Sequence, residues 1–267
     1  MIKMVVSDLD GTILQNGAQR IPENIFPLIR QLKELGILFV AASGRQYVNM
    51  RELFDETADD MAFVCENGAM AVQNEEIIYQ DVFPKKLAVE ILKAIHEKEG
   101  AEFTCSTKDF FYMRPKTEHF RNLMLNVVRN SCKEINSFDE VCEPVMKLAV
   151  YEKTGVTDES LRYWMETFGK DCVVVTSGNA WIDFIPFGTN KAKGIRKFME
   201  KYGISRDECM AFGDEYNDIE MLKEVKYSFA MNNARDGVRA VAAYTTEHVQ
   251  TVLERLIQAG GEIKEVL

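Results

Sequence analysis

No run of 18 apolar residues occurs in the 267-residue sequence, so no segment reads as a membrane-spanning helix. The N-terminus passes directly into a strand pattern with no leader-like apolar core before it, and the cytoplasm is the expected compartment. Cysteine and histidine are sparse. Cys65, Cys105, Cys132, Cys142, Cys172 and Cys209 form no CxxC pair, and His96, His119 and His248 are equally dispersed, which argues against disulfide and zinc frameworks and for buried free thiols. Basic residues are too few and too scattered to make a patch: 32 Lys and Arg stand against 42 Asp and Glu, for a net charge of −10. That balance argues against nucleic acid and anionic membrane as partners. Long repeats, low-complexity tracts and the nucleotide or esterase signatures GxGxxG, GxxxxGK[ST] and GxSxG are also missing.

What remains is an ordinary globular composition, 46% apolar and 28% charged, long enough for one large or two modest domains. An apolar run from Met1 breaks into Asp8-Leu9-Asp10-Gly11-Thr12. In an extended segment alternate side chains share a face, so Asp8 and Asp10 are predicted to point the same way at a strand end. Ile25, Leu28, Ile29, Leu32 and Leu35 recur at helical spacing until Gly36. Ile37–Ala42 is a second buried strand ending in Ser43-Gly44-Arg45. Ala62–Cys65 is a third, ending in Glu66-Asn67-Gly68-Ala69. Strand, helix, strand, helix, strand implies a parallel sheet with right-handed crossovers.

From about Asp81 the texture changes. A helix pattern over 85–99 precedes short strand-like pieces at 102–107, 110–114, 145–151, 173–176 and 181–185, with helical stretches at 120–128 and 159–168 and turns such as Ser177-Gly178-Asn179. This alternation predicts an antiparallel sheet with helices, an α+β domain over 82–186. The parallel texture returns with a helix over 191–202 and a strand at 209–212 that ends in Gly213-Asp214-Glu215-Tyr216-Asn217-Asp218. A strand at 227–230, then Met231-Asn232-Asn233-Ala234, and a closing helix marked by Val249, Val252, Leu253, Leu256 and Ile257 follow. The expected fold is α/β, a Rossmann-like parallel-sheet core of 1–81 and 187–267 split by the inserted domain.

Ligands of open parallel sheets sit beyond the carboxyl ends of the strands, so these polar turns are expected to converge. Asp8, Asp10, Asp214 and Asp218 offer oxygens suited to a hard cation such as Mg2+. Ser43, Asn67, Asn217 and Lys191 offer hydrogen-bond donors and a positive charge suited to phosphate, and an aspartate can serve as a nucleophile through an aspartyl-phosphate. Each piece alone has a plainer reading. Asp10-Gly11 could be a turn, Asp214–Asp218 and Ser43 helix caps, Lys191 part of a solvated helix face, and Glu66-Asn67-Gly68 a hairpin turn. An EF-hand is excluded, because Ile13 and Gln19 stand where its glycine and glutamate belong.

In order and placement, Asp8-Leu9-Asp10-Gly11-Thr12, Ser43-Gly44-Arg45, Lys191 and Gly213-Asp214-x-x-Asn217-Asp218 resemble the four motifs of the haloacid dehalogenase-like superfamily. Glu66-Asn67-Gly68-Ala69, Met231-x-Asn233-Ala234 and the insertion are similar to the Cof-type hydrolases with a type IIB cap. Ala192 departs from the glycine of many relatives. The resemblance implies a Mg2+-dependent phosphatase of small phosphorylated metabolites such as sugar phosphates or phosphorylated cofactors. Asp8 would be nucleophile and metal ligand, and Asp10 acid/base and backbone metal ligand. Ser43, Gly44, Lys191 and Asn217 would hold phosphate, and Asp214 with Asp218 would hold or orient the metal. The 82–186 domain would be a cap hinged near 81–84 and 186–188. Within it Lys108, Asp109, Arg114, Asn179 and Trp181 read first as solvated surface. A phosphomutase of the same superfamily and a non-catalytic phosphate- or metal-responsive module remain alternatives, and the sequence specifies no oligomeric state.

Overall fold

The computed structural model describes residues 1–128, 131–176 and 179–263. It divides into two compact units, Met1–Gln80 with Asn190–Leu267, and Asp81–Thr189. No helix among the described residues is long and apolar enough to cross a membrane.

The first unit opens with β1 (Met4–Ser7), buried at every residue. In α1 (Ile25–Glu34), Ile25, Phe26, Leu28, Ile29 and Leu32 are buried, the single apolar stripe that helical spacing demands. β2 (Leu38–Ala42), α2 (Tyr47–Leu53) and β3 (Ala62–Cys65) complete the predicted alternation. Two strands that the apolar pattern does not announce follow, β4 (Met70–Gln73) and β5 (Glu76–Gln80). They run antiparallel to their neighbours, because the turn at 66–69 is too short for the crossover a parallel strand needs.

The Asp81–Thr189 unit contains α3 (Lys85–Glu97), β6 (Ala101–Ser106), β7 (Phe111–Met113) and α4 (Glu118–Asn122). α4 runs into a π-helical turn, Leu123–Val128. β8 (Cys132–Glu134), β9 (Lys147–Glu152), α5 (Asp158–Phe168), β10 (Val173–Thr176) and β11 (Trp181–Ile185) follow. The strands form one sheet in the order β10-β11-β9-β6-β7-β8, antiparallel except between β7 and β8. The predicted turn at Ser177-Gly178 lies outside the described residues.

The chain returns to the first unit through α6 (Lys191–Tyr202), β12 (Cys209–Gly213), α7 (Ile219–Glu224), β13 (Tyr227–Met231), α8 (Asp236–Arg239), β14 (Tyr244–Thr246) and α9 (Val249–Gln258). Its sheet has the order β14-β13-β12-β1-β2-β3-β4-β5. β1 is central, paired in parallel with Cys209–Phe212 on one side and Leu38–Ala41 on the other. That register brings the ends of β1, β2 and β12 to one edge. There the Asp8 amide donates to the Phe212 carbonyl and the Ser43 amide to the Val64 carbonyl.

Candidate active site

Asp8 is the first residue past β1, and its side chain is buried. Lys191 begins α6, whose N-cap Asn190 accepts a hydrogen bond from the Lys193 amide through its side chain. The Lys191 side chain is 1% exposed, and its ammonium donates to Asp8 Oδ1 at 2.5 Å and to Asp218 Oδ1 at 2.6 Å. It is no solvated surface lysine. Asp218 Oδ2 accepts from the backbone amides of Asp214 and Glu215 at 2.9 and 3.0 Å. Asp218 thus caps the one-turn helix Tyr216–Asp218 beside its charged contact, and makes no side-chain cap for α7, the helix that the sequence suggests it would cap.

Asp8, Asp214 and Asp218 each offer an oxygen within 4.8 Å of the others. With all three ionised, these carboxylates against the one Lys191 ammonium leave two excess negative charges, the charge of one divalent cation. Asp8 Oδ2 is buried with no hydrogen-bond partner among the described residues, which is costly for a carboxylate unless a ligand or a proton satisfies it. In the metal-free protein, burial pushes the Asp8 carboxyl up to about 8. Asp218 and Asp214 add to the rise, and Lys191 offsets only part of it. Burial also raises the Asp214 carboxyl against the hydrogen bond from Thr12. Burial alone would lower the Lys191 ammonium, yet Asp8 and Asp218 outweigh it and hold the ammonium above its ordinary range. Hard oxygen donors, an orphaned carboxylate oxygen and two surplus negative charges fit a small divalent cation such as Mg2+.

Asp214 is fixed from two sides. Thr12 Oγ1 donates to Oδ1 at 2.8 Å, and Asn233 Nδ2 donates to Oδ2 at 3.1 Å and to the Gly11 carbonyl at 3.0 Å. Gly11 has φ +91°, and a Cβ there would stand 2.1 Å from Asp214 Oδ2, so the close approach of this turn to Asp214 requires glycine.

Asp10 does not join the carboxylate cluster. The strand ends at Ser7 and Asp10 makes only an isolated bridge with Leu14, so the alternation that was expected to align Asp10 with Asp8 stops before reaching it. The Asp10 side chain is 54% exposed, and Arg45 holds it with Nε at 2.9 Å from Oδ2 and Nη2 at 2.6 Å from Oδ1.

Ser43 and Gly44 lie beyond β2. Buried Ser43 accepts at Oγ from the Arg45 amide, and its carbonyl accepts from the Asn67 amide. Glu66, Asn67 and Gly68 all have positive φ, 49°, 55° and 102°, a costly conformation for the first two that persists where the surroundings enforce it. Here they do. The Glu66 amide donates to the Arg45 carbonyl, Asn67 Oδ1 accepts from Asn217 Nδ2 at 3.0 Å, and a Cβ on Gly68 would lie 1.9 Å from the Asn190 carbonyl. This hairpin turn between β3 and β4 ties the 43–45 turn to Asn217 and to the start of α6.

The sequence brings forward all of these turns but not Arg45 as the partner of Asp10, nor Thr12 and Asn233 as supports of Asp214. Their signal is adjacency: Thr12 follows Gly11 directly, and Asn233 stands two residues past β13.

Comparison with known proteins is consistent over nearly the whole chain. Residues 5–252 match the haloacid dehalogenase-like hydrolase family. The chain is 29% identical over 262 residues to the 5-amino-6-(5-phospho-D-ribitylamino)uracil phosphatase YbjI of Escherichia coli (strain K12), covering 96% of this chain and 97% of that protein. It is similar in fold to a crystal structure from Eubacterium rectale, with a TM-score of 0.88 at 23% identity over 95% of this chain and 98% of that one. It is also similar to the HAD subclass IIB sugar phosphatase BT4131, with a TM-score of 0.75 at 25% identity over 94% of this chain and 98% of that one.

Proposed function

The chain belongs to the haloacid dehalogenase-like hydrolase family and is a phosphatase of small phosphorylated molecules; we propose that it works with Mg2+ and through an aspartyl-phosphate formed on Asp8. The observation that carries this reading is the state of Asp8: buried, one oxygen on the Lys191 ammonium and the other without a partner among the described residues. A carboxylate so placed is held in position on one side and left open on the other, as a nucleophile requires.

Asp8 and Asp214, with the backbone carbonyl of Asp10, would hold Mg2+. Asp218, engaged by Lys191 and two backbone amides, orients both from behind. When bound, the cation neutralises the surplus carboxylate charge and the charge that develops on the phosphoryl oxygens. The Lys191 ammonium, the Ser43 hydroxyl, the Gly44 amide and the Asn217 side chain would position those oxygens.

An Asp8 oxygen attacks phosphorus, the bond from phosphorus to the ester oxygen breaks, and the departing oxygen takes a proton from Asp10. Water then attacks phosphorus and gives its proton to Asp10. The bond from phosphorus to Asp8 breaks, inorganic phosphate leaves and both aspartates return to their starting states. One group serves as acid and then as base because the first step leaves it ready for the second. The two-point grip of Arg45 directs Asp10 in the form that accepts the proton of the attacking water, whereas giving the first proton requires Asp10 to loosen that grip. The 81–189 unit would act as the cap that selects the organic part of the substrate and excludes bulk water.

Phosphate release is measured with Mg2+ across sugar phosphates, nucleotides, flavin mononucleotide and pyridoxal phosphate, with Asp8→Asn as the blank. Mg2+-dependent release from at least one compound, absent from the blank, is expected. No release from any compound, or isomerised product in place of free phosphate, overturns the reading.

A further inference from the structure

The turn between β3 and β4 holds Glu66, Asn67 and Gly68 at φ 49°, 55° and 102°. Positive φ alone assigns nothing, since Asn74 and Glu75 adopt it in the turn from β4 to β5, where it suits the twist of a hairpin. The 66–68 turn differs in what it touches. The Asn67 amide donates to the Ser43 carbonyl at 3.0 Å. A Cβ on Gly44 would stand 3.0 Å from Asn67 Oδ1 and 3.2 Å from Nδ2, so the Asn67 side chain lies against Gly44 in space that another side chain would take. Asn67 Oδ1 accepts from Asn217 Nδ2 at 3.0 Å, across 150 residues of chain. A Cβ on Gly68 would lie 2.8 Å from the Lys191 amide nitrogen. Asn67 thus meets Ser43, Gly44 and Asn217, all assigned above to phosphoryl oxygens, and its neighbour meets the backbone of Lys191.

A carboxamide carries an acceptor oxygen and a nitrogen with two N–H donors, and it can face either way. Toward an anion Asn217 must present an N–H, because its oxygen would repel the ligand. Burial does not fix that choice, since Asn217 is exposed. Asn67 Oδ1 does: the reversed Asn217 amide would set oxygen against oxygen. One N–H of Asn217 goes to Asn67 and the other is left to give. Fixing the exposed side chain beforehand also removes ordering that a ligand would otherwise have to impose. The backbone at φ 55° would accept glycine more readily, whereas asparagine tolerates that conformation and still carries an amide.

We propose that Asn67 is a positioning residue of the phosphate cradle, which turns the Asn217 amide so that its N–H, and not its oxygen, meets the phosphoryl group. The assignment of Asn217 to phosphate rests on the phosphatase reading, whereas binding of inorganic phosphate needs no turnover.

Asn67→Gly separates the side chain from the backbone, because glycine keeps the turn and loses the amide. Inorganic phosphate is titrated by calorimetry, with excess Mg2+, into the full-length protein, Asn67→Gly, Asn217→Ala and the double variant, beside melting curves, Mg2+ titrations and steady-state kinetics. Asn67→Gly is expected to melt as the parent does, to keep its apparent Mg2+ affinity and to bind phosphate about tenfold more weakly, the worth of one hydrogen bond to a charged group. Its kcat/KM should fall by a similar factor. The double variant should bind phosphate no more weakly than Asn217→Ala alone, because Asn67 acts through Asn217. The inference is overturned if Asn67→Gly binds phosphate as the parent does, or if the two losses multiply in the double variant. It is equally overturned if Mg2+ affinity falls as far as phosphate affinity, as general damage to the site would give, or if the parent binds no phosphate. Phosphate binding weakened as expected, with no phosphomonoester turned over by the parent, would sustain the role of Asn67 and sink the phosphatase reading.

Discussion

Arg45 grips both carboxylate oxygens of Asp10, Nε at 2.9 Å and Nη2 at 2.6 Å, while Asp8, two residues earlier, is held by Lys191 in a buried cluster. The two aspartates of one short motif thus have different partners and different environments. One lies where charge is expensive, the other where water and substrate reach it. Nucleophile and proton carrier require that division of labour.

The Arg45 grip has a consequence that depends on the leaving group. Arg45→Ala is expected to lower kcat by about 100-fold for alkyl phosphates, the usual worth of a positioned proton donor. It should change the first step of p-nitrophenyl phosphate hydrolysis, read as the burst of p-nitrophenol, little, since that leaving group departs without a proton. Arg45→Lys should restore only part of the loss, because an ammonium cannot make the two-point contact. Equal losses in the first step on both substrates would assign Arg45 to another task.

Lys191 neutralises charge inside the protein. Lys191→Met leaves Asp8 and Asp218 without their cation and is expected to destabilise the metal-free protein by about 3–5 kcal/mol. Mg2+ should recover part of that loss. Urea unfolding with and without Mg2+ measures both. An unchanged midpoint in the absence of metal would show that the buried contact does not carry this weight.

Thr12 and Asn233 act through Asp214. Thr12→Val and Asn233→Ala should each weaken the apparent Mg2+ affinity by roughly 10- to 100-fold, as loss of an outer partner commonly does. The melting temperature of the metal-free protein should move little. A Mg2+ titration of activity beside a melting curve checks this, and an effect on melting alone would contradict it.

The raised Asp8 carboxyl makes metal-free stability depend on pH. Between its ordinary value of 3.8 and about 8, the unfolded chain has released this proton and the folded protein retains it. Unfolding therefore releases a proton, and stability falls as pH rises through that window and levels off above it. Mg2+ binding below about pH 8 should correspondingly displace a proton. Asp8→Asn removes this contribution. Metal-free melts from about pH 5 to about pH 9 at fixed ionic strength are the test, and the same slope in both proteins would refute the assignment.

The parallel core is legible in the sequence because its strands are buried on both faces and appear as unbroken apolar runs, each ending in polar residues. β4 and β5 are less so. β5 lies at the sheet edge and is partly exposed, so its pattern blends with the loop before the inserted unit. Asp8, Asp214, Asp218 and Lys191 stand where sequence order and strand ends suggest. Their partners emerge only in three dimensions, since Thr12 meets Asp214 across 202 residues and nothing local marks the pairing. In the 81–189 unit the strands are visible as short alternations, but Lys147 and Asp183 look like ordinary surface charges until the sheet register puts both on one buried face.

The most direct measurement is the mass of the peptide containing Asp8 after acid quenching during turnover of a good substrate with Mg2+. The account predicts a phosphoryl group on that peptide during turnover, lost once the substrate is exhausted with Mg2+ still present, and absent from Asp8→Asn. Unmodified peptide at every quench time, together with undiminished phosphate release by Asp8→Asn, would contradict it.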